Sequence, residues 1–196
     1  MSTGTRSDLT YGFHNAFPDH TEYWPNLEAL FHRTEIDKKG TLLKQGEMWN
    51  SVYYIQEGIA RLFYTDSKGN EYNKDFFYEG NFFWPVAPSA STHPCLFSIS
   101  ALSEMVLWRA PFGQFKQKLK ELNGWDSIAL NLAERLAERK ISREASFLLE
   151  TPSERYIHLF EEYSELLNRI PDYHMASFLG ITQVSLSRIK KKLLGV

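Results

Sequence analysis

A single cysteine, Cys95, among 196 residues leaves no partner for an intramolecular disulfide and excludes four-cysteine zinc and iron–sulfur sites. Such sparing use fits a reducing compartment. No run approaches the roughly eighteen uninterrupted apolar residues of a membrane helix. The opening residues, Met1 to Asp8, lack the apolar stretch of a secretory signal, so the cytoplasm is the expected location and no membrane contact is expected. A Gly-x-Ser-x-Gly elbow, a P-loop and a dinucleotide fingerprint are also missing. With a formal net charge of −2 the chain is not a generally basic nucleic-acid coat, and any contact with DNA must come from a local patch.

Histidine is scattered. Of His14, His20, His32, His93, His158 and His174, only His93 falls in the region read below as a β-roll, so the clustered ligands of a cupin-type metal centre are not there. His93 and Cys95 stand two apart on a turn, which is thin support for haem ligation, and Cys95 has no third group to orient it as a nucleophile. The expectation is a protein without cofactor, metal or catalytic residues, and not an enzyme.

What the chain has in quantity is apolar residues (43 %) and aromatic ones (15 %), enough to bury a core. Three zones differ in pattern. After a polar N-terminal tail, Asp19 to Phe31 reads as a short helix with Leu27, Leu30 and Phe31 on one side and Pro25 in its first turn. From about 33 to 110 come short β-rich segments: 41–44, 52–55, 59–64, 72–77, 96–100 and 105–108. Turns at Gly40, Gly46, Gly58, Gly69 and Gly80 separate them, the pattern of a roll or barrel. From 111 the pattern is helical. A long helix is predicted over Trp125 to Leu149, with two apolar stripes: Trp125, Ile128, Leu132, Leu136, and Ala129, Ala133, Ala137, Ile141, Ala145. Either these form one wide core-facing stripe, or the first packs on the roll and the second meets a partner helix. Thr151-Pro152-Ser153-Glu154 is a capping box that starts a new helix, ending before Pro171. Three segments follow: 1–24, tail and start of the first helix; 25–150, roll and long helix; 151–196, a small all-α unit.

Residues Asp172 to Lys192 carry the functional signal. Ala176 is small enough for two helices to cross closely, Gly180 suits a turn at positive φ, and Met175, Leu179, Ile181, Leu186 and Ile189 fall on inward positions. Thr182 can cap the second helix. Its outer face then shows Gln183, Ser185, Ser187, Arg188 and Lys191, groups suited to base edges and phosphates. This is the size pattern of a helix-turn-helix. The plainer alternative is a helical hairpin with a solvated basic end.

The order of roll, long helix, capped helix and helix-turn-helix resembles the Crp/Fnr family of regulators over roughly residues 25–196. The likeness is carried most by Gly46, Ile55-x-x-Gly58 and Gly69, and by Ala176 through Leu193. The resemblance implies an α+β fold: an N-terminal β-roll of the cyclic-nucleotide-binding kind with a long dimerisation helix, then a small all-α helix-turn-helix domain. It puts Gln183, Val184 and Arg188 on bases and Thr182 and Ser185 on phosphates. It also implies a homodimer, a palindromic double-stranded DNA site, a small-molecule effector of unknown identity, and RNA polymerase as a further candidate partner.

Two features depart from the family. Only Asn168-Arg-Ile-Pro-Asp172 stands where many members have a β-hairpin wing, so the wing is reduced or absent. The stretch from Gly80 to Phe97 lacks the glutamate and arginine with which members hold ribose and cyclic phosphate, so binding of cyclic AMP in the family's manner is not expected. An effector pocket of Phe82, Phe83, Trp84, Cys95 and Phe97 would suit an apolar or aromatic ligand. Equally, these rings simply fill the roll. The expected function is a dimeric, sequence-specific transcription regulator. The alternative is a sensor or protein-interaction module of the same fold, constitutive and without regulated DNA binding.

Overall fold

The computed structural model describes residues 6–194. Two four-stranded antiparallel sheets lie face to face. The first has the order β1 (His32–Ile36), β8 (Met105–Pro111), β3 (Ser51–Glu57), β6 (Phe82–Phe83). The second has the order β2 (Thr41–Leu43), β7 (Ser98–Ala101), β4 (Ala60–Thr65), β5 (Glu71–Phe77). Leu43, Ile55, Leu62, Phe77, Ile99 and Leu107 fill the space between them. Successive strand residues point to opposite faces, so while Phe77 enters the roll its neighbour Phe76 joins a different cluster outside.

The outer face of the first sheet is covered by α1 (Arg6–Ala16), α2 (Trp24–Leu27), α4 (Phe112–Glu121) and the first half of α5 (Trp125–Leu149). Here the structure corrects the sequence reading. The described part of the expected polar tail is helix α1, with Leu9 and Phe13 fully buried. Their four-residue spacing puts both on one helix face. Gly12 lets that face lie on β3, because a Cβ there would fall 2.2 Å from the Tyr54 ring. The single helix expected over Asp19–Phe31 is instead broken into a 3-10 turn (Pro18–Tyr23), α2 and a second 3-10 turn (Glu28–Leu30). His20 leaves helical geometry within the first of these. β1 and β6 were also not anticipated: β1 carries charged residues along an exposed edge and β6 is only two residues long.

The outer face of the second sheet meets α6 (Pro152–Leu167), α7 (Asp172–Leu179) and α8 (Gln183–Leu194). Ile59, Phe76 and Leu102 of the roll pack with Tyr156, Ile170, Met175, Leu179, Leu186 and Ile189. The Thr151 side chain accepts from the Glu154 backbone N–H, and the Glu154 carboxylate accepts from that of Thr151, so the predicted capping box is formed. Residues 168–171 join α6 to α7 with no strand between them. None of the described helices is long and apolar enough to cross a membrane.

Candidate DNA-recognition helix and effector cavity

α7 stops at Gly180, whose φ of +69° makes it a left-handed cap. A side chain there would be strained and would also meet Phe147 of α5 at 2.7 Å. The chain then turns into α8, where Thr182 Oγ1 accepts from Ser185 N–H at 3.1 Å. Met175, Ala176, Leu179, Leu186 and Ile189 are buried and Ile181 packs against them, as the size pattern requires. On the other side of α8, Thr182, Gln183, Val184, Ser187, Arg188 and Lys191 are exposed, and Ser185 is half-buried. Val184 is 61 % exposed, an apolar side chain in water with hydrogen-bonding groups around it. Lys190 is not part of this face, since its ammonium pairs with the Asp172 carboxylate and ties α8 to the start of α7.

The five residues expected to line one effector pocket do not share one environment. Phe82 and Trp84 point outward, into the cluster with Phe13, Phe17 and Phe31. Phe83 and Cys95 lie inside the roll with Phe97 packed on them, and Phe83 stacks on Phe77 at 4.1 Å between ring centres. The alternation of β6 forces this split, and a period-two reading of Phe82-Phe83-Trp84 would have found it. A cavity of about 380 Å³ does exist between the roll and α5. Phe82, Phe83, Trp84 and Phe97 contribute to its wall, but Cys95 does not. Cys95 packs in the roll interior, where burial raises its thiol pKa.

Sequence reasoning missed the cations at this cavity. Arg135, Arg139 and Lys140 of α5 and Lys74 of β5 line it, against the single carboxylate of Asp75. Arg139 pairs with Asp75 at 2.5 Å. Burial raises the pKa of Asp75, and Arg139 opposes the shift. Arg135 donates to the Ala16 carbonyl at 3.2 Å and lies over the Phe17 ring. The signal was present as cationic residues beside Leu132 and Leu136, on the same face of α5 at helical spacing. Neither Arg61 nor Arg109, the arginines nearest the missing cassette, lines the cavity. Arg109 donates to Ser51 Oγ at 2.8 Å. Ser91 and Thr92 form part of a short helix, α3 (Pro88–Thr92), and both hydroxyls donate to the Pro88 carbonyl. Among the described residues no three His, Cys, Asp or Glu side chains gather as a metal site.

Residues 33–121 match the cyclic nucleotide-binding domain family. The roll, the long helix and the helix-turn-helix together decide the wider likeness. This is the Crp/Fnr fold. Among solved structures the chain is similar to FixK2 from Bradyrhizobium japonicum, at 14 % identity and a TM-score of 0.73 over 84 % of this chain and 85 % of that one. It is similar to CLP from Xanthomonas campestris, described as a c-di-GMP responsive global regulator, at 14 % identity and a TM-score of 0.68 over 89 % and 91 %. The catabolite activator protein of Thermus thermophilus matches at 20 % identity with a TM-score of 0.54 over 94 % and 86 %. No curated protein matches by sequence.

Within this Crp/Fnr fold, the helix-turn-helix is docked on the roll through a polar cluster as well as through its core. Arg61 of β4 pairs with Glu71 at 2.6 Å and donates to Asn73 Oδ1 at 3.2 Å and to His174 Nδ1 at 3.3 Å. Asn73 Nδ2 donates to His174 Nδ1 and to its carbonyl, both at 3.1 Å. His174 Nδ1 is thus held as an acceptor, so the ring is neutral. Burial first and the Arg61 charge second lower its pKa to about 4. At the far end of α7, Arg143 of α5 donates to the Phe178 carbonyl at 2.8 Å and stacks on its ring, and Arg155 of α6 donates to the Leu179 carbonyl at 3.2 Å. Two cations on the last carbonyls of α7 suit the helix dipole.

Proposed function

We propose that this chain is a sequence-specific DNA-binding transcription regulator that works as a two-fold dimer. The observation that carries the reading is the outer face of α8. Gln183, Ser187, Arg188 and Lys191 stand exposed on a helix whose inner side is buried and whose entry turn is fixed by Gly180. Such a helix fits the major groove, where Arg reads guanine and Gln reads adenine by paired hydrogen bonds. In this reading Val184 makes apolar base contact, while Thr182 and Ser185 contact phosphate. The dimer forms through α5, whose second stripe is open from Ala137 onward, and presents two α8 helices about 34 Å apart to a palindromic site. The DNA it reads places its work in the cytoplasm. RNA polymerase is a partner only for an activator.

The roll is proposed not to take cyclic AMP as its relatives' cassette would. A buried cyclic phosphate needs a cation or several N–H donors, and Arg61 and Arg109 are engaged elsewhere. The effector would act from the α5 cavity, whose lining Arg139 and Lys140 stand about one helical turn from Arg143 and hence from α7.

Selection from a random-sequence DNA pool tests the central assignment. Arg188→Ala should cost about 1–3 kcal/mol at the selected site and relax preference at one base pair. Lys191→Ala should weaken all sequences alike and flatten the salt dependence. Full sequence preference retained in Arg188→Ala would remove Arg188 from its role. An unmutated chain with no salt-sensitive DNA affinity would instead favour an interaction module.

A further inference from the structure

We infer that the α5 cavity binds an amphipathic monocarboxylate, a molecule with an aromatic or compact apolar body and one carboxylate at its edge. The inference rests on the proposed regulator reading and names the chemistry of its effector.

Shape and polarity set the class. About 380 Å³ is within the range of small-molecule sites. The roll supplies a mostly apolar wall, with Trp49, Leu62, Phe77, Phe83 and Phe97, and its only charged lining residues are Lys74 and Asp75 of β5. The near wall is α5, where Leu132 and Leu136 are followed by Arg135, Arg139 and Lys140. One side of the space is therefore mostly apolar and the side along α5 cationic.

Charge accounting narrows the anion. Arg139 already holds the Asp75 carboxylate at 2.5 Å, so its charge is matched. Arg135 makes no ion pair with a described residue. Its guanidinium donates only to a backbone carbonyl at 3.2 Å, and burial lowers its pKa. A planar fork without an acid partner matches one carboxylate in a bidentate pair. A dianionic phosphate would stand beside the Asp75 carboxylate; the other lining cations are Lys74, which lies over the Tyr64 and Phe97 rings, and the solvent-exposed Lys140. Trp84 contributes only ring surface to the wall, since its indole N–H is sealed from the cavity as well as from solvent. The cavity also touches Tyr163 of α6, at a point where that helix leaves helical geometry. A ligand there contacts roll, long helix and DNA-binding unit at once.

The test uses the full chain and a near-isosteric pair of probes, 1-naphthylacetate and its neutral amide, in isothermal titration. The acid should bind below about 100 μM and the amide at least about tenfold more weakly. Arg135→Gln should bring the acid down to the affinity of the amide and leave the amide unchanged. Leu136→Trp, which fills the space from the helix side, should abolish both while circular dichroism shows an unchanged fold. Equal affinity for acid and amide, or an acid that ignores both substitutions, overturns the inference, as does cyclic AMP binding that depends on Arg135 where the acid fails. DNA retention is measured on the same preparations without probe. Retained DNA binding with no carboxylate binding sinks this inference alone, whereas carboxylate binding without DNA binding sinks the regulator reading alone.

Discussion

The two halves of α5 have similar periodicity and opposite surroundings. In the first half, Ile128 and Leu132 are buried against the roll helices and Leu136 is partly covered. In the second, Ala137 and Ala145 are open and Ile141 is 68 % exposed, with Leu148 and Leu149 exposed beside the start of α6. Three- and four-residue spacing specifies that a face is apolar and leaves open what covers it. Inside one chain, α4 and α1 provide that cover for the first half only. The second half is the surface that the proposed dimer would cover.

Substitution at matched positions should separate the halves sharply. Ile128→Ala, at 0 % exposure, should lower folding stability by about 2–5 kcal/mol in a urea melt, while Ile141→Ala stays within about 0.5 kcal/mol at concentrations where the chain is monomeric. Equal losses would mean that the second half is covered within the chain. Ala137→Glu combined with Ile141→Glu should leave the melt unchanged at those same dilute concentrations and, at higher ones, convert a dimer to a monomer in sedimentation velocity. An unmutated chain that already sediments as a monomer at micromolar concentration ends the comparison, since nothing would then distinguish the open half.

A smaller effect concerns the contacts that bind the helix-turn-helix unit to the roll rather than to α5. The His174 ring is neutral in the docked state with a pKa of about 4, below its ordinary 6.5. The undocked or unfolded state therefore holds more protons in between. Docking is at full strength above pH 6.5, weakens as pH falls by up to about tenfold per unit, and loses nothing further below about 4. Imidazole NMR should show His174 titrating near 4, and amide exchange over 172–179 should quicken between pH 6.5 and 4. Titration at an ordinary 6.5 would show that the Arg61–Asn73–His174 cluster is open in solution. A further modest loss is expected at the junction of α5 and α6. Thr151→Ala removes the cap of α6 and should cost about 0.5–2 kcal/mol, seen in the melt and not in sedimentation.

Much of this architecture was legible because it depends on local stereochemistry. Gly180 requires a left-handed turn, Thr151 and Glu154 form a reciprocal cap, and the glycines at 46, 58, 69 and 80 take positive φ between strands. What escaped depends on contacts far apart in sequence. Most residues of α1 look polar, and its place in the core rests on contacts with Tyr54, Phe17, Trp24 and Phe82 from elsewhere in the chain. The candidate recognition face could be read because one helix carries nearly all of it. The cavity could not, because its wall is assembled from strands, a loop and a helix some fifty residues away. The aromatic residues were the prominent signal there, and half of them face the other way.

The contact between Gly180 and Phe147 has a geometric consequence. With 2.7 Å between that phenyl and where a Cβ would stand, the corner of the helix-turn-helix rides directly on α5 near its C-terminal end. In the proposed two-fold dimer, with its axis beside α5, the bulk of this side chain would then be one of the contacts that set the separation of the two helix-turn-helix units, together with their seat on the roll. Resizing residue 147 would then shift that corner against α5, much as a shim sets the gap between two jaws.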